Sequence, residues 1–328
     1  MMKEPWFWRD TSFAGRAIAA SLAPGALLYD AARRWRTAHS RPAAAPLPVI
    51  CIGNATLGGV GKTPFALMLS ALLRDKGVEA HFLTRGYGGA ERGPLRVAPD
   101  IHDAVAVGDE PLLLAAAAPT WVSRDRLKGA RAAADAGAKA LIMDDGYQNP
   151  SLQKTLSILL IDAQDPYGNG RIFPAGPLRE PFDAALARAD IVALVQAEKD
   201  GGAVQPRLFG DKPLRVWLEP SRPVGAARLF AFAGIGRPER FFRMLAAQGG
   251  EIVEAVGFPD HHPFTAAEIA RLKKAATDKA ARLVTTAKDF ARLPAAEREN
   301  IDVCAVTMVC DDPDRLTDIV LGAIARFK

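Results

Sequence analysis

The stretch Gly53-Asn54-Ala55-Thr56-Leu57-Gly58-Gly59-Val60-Gly61-Lys62-Thr63-Pro64 constrains this chain more than any other. It follows a short continuous apolar run, Val49-Ile50-Cys51-Ile52, which reads as a strand buried on both faces. It precedes a helix expected from about Pro64 to Lys76. Strand, glycine-rich turn, Lys-Thr pair and helix in that order resemble a P-loop. Gly58, Gly59 and Gly61 let backbone N–H groups approach phosphate oxygens, and the helix start adds roughly half a positive charge facing an anion. Lys62 can reach β- and γ-phosphates, and Thr63 can place its hydroxyl on Mg²⁺. The candidate nucleotide-binding set is Thr56, Leu57, Gly58, Gly59, Val60, Gly61, Lys62 and Thr63. The common pattern begins with Gly five residues before the Gly-Lys pair, and this chain has Thr56 there.

The alternation continues downstream. Strands are expected near Ala80–Thr84, Thr120–Val122, Ala140–Met143, Leu156–Ile161 and Ile191–Val195, with helices near Pro111–Ala118 and Arg126–Ala136. This pattern means a parallel sheet covered on both faces. A second series starts near Arg228, with a strand at Leu229–Ala233, a helix from Pro238, a strand at Glu251–Val256 and a helix from Ala266. Strands at Leu283–Thr286 and Val303–Val309 and a last helix to Phe327 complete it. The expected fold is α/β: a P-loop NTPase-like parallel sheet over residues 47–220 and a smaller α/β domain over 221–328. An N-terminal amphipathic helical segment, residues 1–46, precedes them. The Gly- and Pro-rich stretch from Ala163 to Pro181 is too long for a simple connection and reads as a functional loop.

At 328 residues, 49% hydrophobic and 24% charged, the chain is neither disordered nor polytopic. A net charge of +5 suits an anionic partner without choosing among phosphate, acidic lipid and nucleic acid. Cys51, Cys304 and Cys310 form no CxxC pair. Cys51 and Cys304 sit in apolar runs and are expected to be buried in a reducing compartment.

The N-terminus carries Trp6, Phe7, Trp8, Phe13, Ile18, Leu22, Leu27, Leu28 and Tyr29, then Arg33, Arg34 and Arg36. Its longest uncharged run, Ala17 to Tyr29, has 13 residues, whereas a membrane span needs about 20. Glu4 and Asp10 are wrong for a secretory leader. Lys3, Arg9, Arg16, Arg33, Arg34, Arg36 and Arg41 outnumber Glu4, Asp10 and Asp30. One or two amphipathic helices are expected, lying in a headgroup layer or packed on the protein's own core.

A P-loop requires an acidic partner at a neighbouring strand end. Ala140-Leu141-Ile142-Met143-Asp144-Asp145-Gly146 has the form of a Walker B motif, which makes Asp144 and Asp145, with Thr63, the candidate magnesium ligands.

These elements join Arg85-Gly86-Tyr87-Gly88, Gly108-Asp109-Glu110-Pro111, Gly176-Pro177-Leu178-Arg179-Glu180 and Phe258-Pro259-Asp260-His261. Together they resemble the tetraacyldisaccharide 4'-kinase family of lipid A biosynthesis across nearly the whole chain. That family replaces the first P-loop glycine with Ser or Thr, which agrees with Thr56. The resemblance implies transfer of the ATP γ-phosphate, with Mg²⁺, to the 4'-hydroxyl of a tetraacyldisaccharide 1-phosphate. It also implies an active site in a cleft between two domains, at the cytoplasmic face of the inner membrane.

A sugar hydroxyl is a poor nucleophile, and a general base contributes ~10²–10⁴-fold. Asp109 is the candidate base, although Asp-Glu-Pro is also good helix-start chemistry and an N-cap aspartate explains it too. On the resemblance, His261 pairs with Asp109, and Lys62 completes the catalytic set. Arg85, Tyr87, Glu110, Arg126 and Arg179 are candidates for phosphate or substrate binding, with Arg126 preferred to Arg124. Thr285-Thr286-Ala287-Lys288-Asp289 closes a strand and is either a nucleotide contact or a strand-end turn.

Competing readings are a P-loop GTPase or metal-insertion chaperone, and a non-catalytic nucleotide-binding module at the membrane. Thr286-Ala287-Lys288-Asp289 has the wrong spacing for guanine selection, and no Cys-x-Cys-x-Cys motif exists. Asp109, Asp144 and Asp145 exceed what binding alone needs. No nucleic-acid-binding pattern and no obligate protein partner are evident.

Overall fold

The computed structural model describes residues 4–197, 199 and 213–327; Lys3 lies outside them. The chain forms two compact units. The larger holds Glu4–Trp217 and Met308–Lys328, and the smaller holds Leu218–Thr307.

The strands are β1 (Val49–Asn54), β2 (Ala80–Thr84), β3 (Leu95–Arg96), β4 (Thr120–Val122), β5 (Ala140–Asp144), β6 (Leu156–Asp162), β7 (Ile191–Gln196), β8 (Leu214–Pro220), β9 (Arg228–Ala233), β10 (Glu251–Gly257), β11 (Arg282–Thr286), β12 (Asp302–Cys304) and β13 (Val306–Cys310). The helices are α1 (Phe13–Ser21), α2 (Ala23–Ala38), α3 (Lys62–Asp75), α4 (Ala104–Val107), α5 (Asp109–Ala115), α6 (Arg126–Asp135), α7 (Phe182–Leu186), α8 (Pro238–Ala247), α9 (Ala266–Asp278), α10 (Ala287–Arg292) and α11 (Pro313–Ala325).

A nine-stranded sheet runs in the order β13-β8-β7-β6-β1-β5-β2-β4-β3. From β8 to β4 every pairing is parallel, and short β3 closes one edge antiparallel to β4. β1 lies between β6 and β5 and is buried along its whole length, which is why its sequence is apolar without alternation. Burying each of Val49, Ile50 and Ile52 contributes about 1.5–3 kcal/mol. The parallel strands carry their C-terminal ends to one edge of the sheet, where ligands bind in open α/β folds.

The smaller unit is a four-stranded parallel sheet, β10-β9-β11-β12. Phe230, Phe232, Phe264, Ile269 and Leu272 form its core on one face, and Leu229, Phe241 and Leu245 on the other. α9 opens with a capping box between Thr265 and Glu268.

The apolar run expected as one strand at Val303–Val309 divides in two. Asp302–Cys304 joins the small sheet, whereas Val306–Cys310 joins the large one, where Asp311 N–H donates to the Arg215 carbonyl at 2.9 Å. The chain therefore returns to the larger unit, and α11 packs beside α3. Composition gave no sign of this, because both strands are apolar and only Ala305 separates them. Cys304 is half-buried rather than fully buried, since β12 is an edge strand; Cys51 and Cys310 are buried.

α1 and α2 are fastened to the larger unit on one side. Trp8 Nε1 donates to the Pro174 carbonyl at 3.0 Å, the Tyr29 ring meets Phe173, and Asp30 is buried between Arg33 and Arg34. The other side leaves Phe13, Leu27, Leu28 and Trp35 exposed at 82%, 72%, 74% and 64%. No helix among the described residues is long and apolar enough to cross a membrane.

Candidate functional site

The chain leaves β1 at Asn54 and re-enters regular structure at Lys62. Gly61 takes the helix N-cap with φ 89°, a left-handed angle that a side chain at this position would oppose. Gly53 has a different reason: a Cβ there would lie 2.3 Å from Tyr147 Cβ. The turn is steadied from the long irregular stretch. Leu57 N–H donates to the Pro177 carbonyl at 2.7 Å, Arg179 N–H to Ala55 at 2.8 Å, and Arg179 Nε to the Thr56 carbonyl at 3.1 Å. Thr56 and Val60 are buried, while Gly58 and Gly59 are exposed at the tip. The residue that replaces the expected glycine thus faces protein, and the exposed glycines keep their amides open to a ligand.

Lys62 Nζ lies 3.1 Å from Asn54 Oδ1 and 3.5 Å from Asp145 Oδ1. Asp145 also receives Arg179 Nη1 at 3.1 Å. Burial works to raise the Asp145 pKa, but Lys62 and Arg179 overcome it and hold the group at about 2. Thr63 Oγ1 donates to Asp144 Oδ2 at 3.0 Å. Asp144 is buried at the end of β5 and is pushed up to about 7, first by burial and then by the Glu110 charge, against the pull of Lys62.

Asp144 Oδ1 is buried and has no hydrogen-bond partner among the described residues. A buried carboxylate oxygen without a donor is costly unless a cation completes it. A hydroxyl and carboxylates are donors that Mg²⁺ accepts. No cluster of three or more His, Cys, Asp or Glu that could hold a metal occurs among the described residues. Thr63 and Asp144 thus meet, while Asp145, next in the chain, is engaged by Lys62 and Arg179.

Asp109 is buried at the first residue of α5, and Gly108 occupies the N-cap without a side-chain cap bond. Asp109 is therefore not an N-cap aspartate. Glu110 follows it, close enough to raise the Asp144 pKa. Arg126 is buried; its Nη1 donates to the Ser123 carbonyl, and its pKa is lowered to about 10 by burial and by Arg85. Arg85, Tyr87 and Arg124 instead line an open cleft.

His261, on the smaller unit, has φ 57° and lies 3.3 Å from Lys288 Nζ and 3.8 Å from Asp260 Oδ1. Thr286 caps α10 by accepting from Asp289 N–H, and buried Asp289 accepts from Gly234 N–H. The strand-end turn accounts for these residues.

Sequence reasoning gave no role to three polar residues behind the P-loop. Asn54 Nδ2 donates to the Thr56 carbonyl at 2.7 Å while its Oδ1 receives Lys62. Gln148 Nε2 donates to the Asn54 carbonyl at 2.9 Å and to Glu180 at 3.1 Å. Glu180 is fully buried, yet Arg188 reaches it at 2.8 Å and Arg33 of α2 at 3.7 Å. The available signal was Asn54 itself, a polar residue ending an otherwise apolar buried strand.

Residues 18–325 match the family described as Tetraacyldisaccharide-1-P 4'-kinase. A tetraacyldisaccharide 4'-kinase of Rhodospirillum centenum is 51% identical over 334 residues, covering 100% of this chain and 98% of that protein. One from Hyphomonas neptunium is 46% identical, covering 99% and 98%. Among solved structures, the "apo" form of LpxK from Aquifex aeolicus in complex with ATP superposes with a TM-score of 0.74 at 27% identity, covering 93% of this chain and 99% of that one.

Proposed function

This chain belongs to the tetraacyldisaccharide 4'-kinase family, and from that premise we propose how its residues divide the work of moving the ATP γ-phosphate to the 4'-hydroxyl of a tetraacyldisaccharide 1-phosphate. It is an ATP-dependent kinase of lipid A biosynthesis. The single observation that carries the division of labour is the pairing of Lys62 with Asn54 and Asp145 beside the Thr63–Asp144 hydrogen bond.

The amides from Leu57 to Thr63 cradle the triphosphate, and Lys62 leaves its protein partners to meet the β- and γ-phosphates. Thr63 and Asp144 would hold Mg²⁺, with Asp145 beside them. When bound, the ion would neutralise charge developing on the transferred and leaving oxygens. Asp109 takes the proton from the 4'-hydroxyl as its oxygen bonds to the γ-phosphorus; the bond from that phosphorus to the β–γ bridging oxygen breaks, and ADP leaves. His261 is assigned to the same catalytic set. Arg179 orients Asp145 and the Thr56 carbonyl, and Arg85, Tyr87, Glu110 and Arg126 serve the acceptor side.

Residues 1–46 are assigned to the membrane surface, where the enzyme meets its lipid on the cytoplasmic side of the inner membrane. The exposed Phe13, Leu27, Leu28 and Trp35 support this reading, since an apolar face otherwise left to water is destabilising. Transfer of radiolabelled γ-phosphate to the tetraacyldisaccharide 1-phosphate, with Mg²⁺ present and then chelated, tests the whole scheme. Label incorporated only with Mg²⁺ supports it, and no incorporation under either condition removes it.

A further inference from the structure

The polar residues of Thr285-Thr286-Ala287-Lys288-Asp289 divide into two groups. Thr285, Thr286 and Asp289 build the turn after β11. Thr285 Oγ1 donates to the Phe232 carbonyl at 2.9 Å, Thr286 Oγ1 accepts from Asp289 N–H at 3.0 Å, and Asp289 accepts from Gly234 N–H at 3.0 Å. Lys288 instead reaches the loop after β10, where its Nζ lies 3.3 Å from His261 Nε2.

That loop is held firmly. β10, β9 and β11 are neighbouring parallel strands, so their C-terminal ends share one edge of the smaller sheet. The peptides of Gly234 tie the loops there together. Besides the bond to Asp289, the Gly234 carbonyl accepts from His261 N–H at 3.0 Å and from Arg292 Nη1 at 3.0 Å. His261 has φ 57°, a left-handed angle that a residue with a Cβ keeps only where its surroundings over-determine it. Its neighbour adds a clamp: the His262 ring stacks on Phe258 with centroids 4.8 Å apart, and His262 Nε2 lies 3.1 Å from Glu268 Oε1. With the backbone fixed, two freedoms remain to the His261 imidazole: rotation of the ring, and which nitrogen carries the proton.

Lys288 settles both. An ammonium has three donors and no acceptor, so the His261 nitrogen that faces it must present a lone pair. The proton then sits on Nδ1. Asp260 Oδ1 faces the same Nε2, but at 3.8 Å, beyond hydrogen-bond reach, and that oxygen accepts no hydrogen bond among the described residues. The nearer group decides. The partner of one ring nitrogen fixes what the other can do. Nδ1 is thereby a donor, the form that pairs with a carboxylate.

We propose that Lys288 is a positioning residue that acts through His261, fixing its ring and placing the proton on Nδ1. The proposal rests on the assignment of His261 to the catalytic set.

The test uses the full-length enzyme and two readouts. Proton–nitrogen correlation NMR of the labelled histidines reports the tautomer, and His261→Ala identifies the His261 signals among the five histidines. Wild type should show Nδ1–H, Lys288→Arg should keep it, and Lys288→Met should move to Nε2–H. In kinetics, Lys288→Met should lower kcat about 10–100-fold, part of the ~10²–10⁴-fold that acid–base catalysis supplies. KM for ATP should stay within about two-fold of wild type, and Lys288→Arg should recover most of the loss. Adding Lys288→Met to His261→Ala should cost nothing further, because a residue that acts through another has no effect once that one is gone. An Nε2–H signal for His261 in the wild-type enzyme would overturn the proposal whatever the variants do. So would an undiminished loss from Lys288→Met in the His261→Ala background, or a rise in KM for ATP with kcat intact, which would give the lysine to the nucleotide. Wild-type kcat in His261→Ala would instead remove His261 from the catalytic set, and the role of Lys288 with it.

Discussion

Thr63 Oγ1 donates to Asp144 Oδ2 across 3.0 Å, joining the first turn of the P-loop helix to the end of a neighbouring strand. The bond fixes one carboxylate oxygen and leaves Oδ1 buried without a donor. A cation bound there would satisfy both groups at once. Thr63→Ala is expected to raise the Mg²⁺ concentration for half-maximal activity about 10–100-fold, with Thr63→Ser recovering most of it because the hydroxyl returns. Activity titrated against Mg²⁺ at fixed ATP checks this; an unchanged half-saturation point in Thr63→Ala would detach the hydroxyl from the metal.

Lys62 spans Asn54 and Asp145, but Asp145 keeps Arg179 when Lys62 is removed. Lys62→Ala should therefore fold and fail as a catalyst. Turnover is expected to fall at least about 10²–10³-fold, the scale of losing one aimed cationic donor, while the thermal melting profile stays within a few degrees. Near-normal turnover in this variant would contradict the phosphate role.

Asp109 is predicted to act on kcat. Asp109→Asn should lower kcat about 10²–10⁴-fold and leave ATP affinity close to wild type. ATP affinity measured by nucleotide titration separates the outcomes: equal losses in both would mean that the start of α5 had been deformed.

Much of this site was legible in the sequence for one reason. A P-loop couples a buried strand, a turn with demanding backbone angles and a helix start within about a dozen residues, so local chemistry declares it. Asp144 and Asp145 were legible by the same logic, as carboxylates closing an apolar strand. Glu180 and Gln148 were not, because their importance lies in contacts with Asn54, Arg33 and Arg188 that no local pattern records. Arg124 and Arg126 show a finer limit. Two residues apart at a helix start, they turn opposite ways, one to the cleft and one into the protein, and only the packing of α6 on β2 and β4 decides which.

Glu180 offers a stability prediction. Its carboxylate is fully buried and gathers Gln148, Arg188 and Arg33. Arg33 keeps Asp30, but Glu180→Ala would leave Gln148 Nε2 and Arg188 without their acceptor, at a cost of about 1–3 kcal/mol. Denaturant titration of the full chain should show an earlier midpoint for the unit that contains the P-loop. A midpoint indistinguishable from wild type would mean that water replaces the carboxylate at little cost.

Leu27 and Leu28 of α2 are both more than 70% exposed, while Asp30, two residues on, is buried between Arg33 and Arg34. Arg33 reaches Glu180 at 3.7 Å, so α2 meets the protein by a charged face and offers an apolar face outward. Burying each leucine in a lipid interface contributes about 1.5–3 kcal/mol, so losing both should weaken partitioning at least about ten-fold. Leu27→Asp/Leu28→Asp is expected to fold normally, because neither side chain has packing to lose. It should leave vesicles of anionic phospholipid in a sedimentation assay where wild type stays bound. Binding equal to wild type would reassign that outward face to something other than lipid.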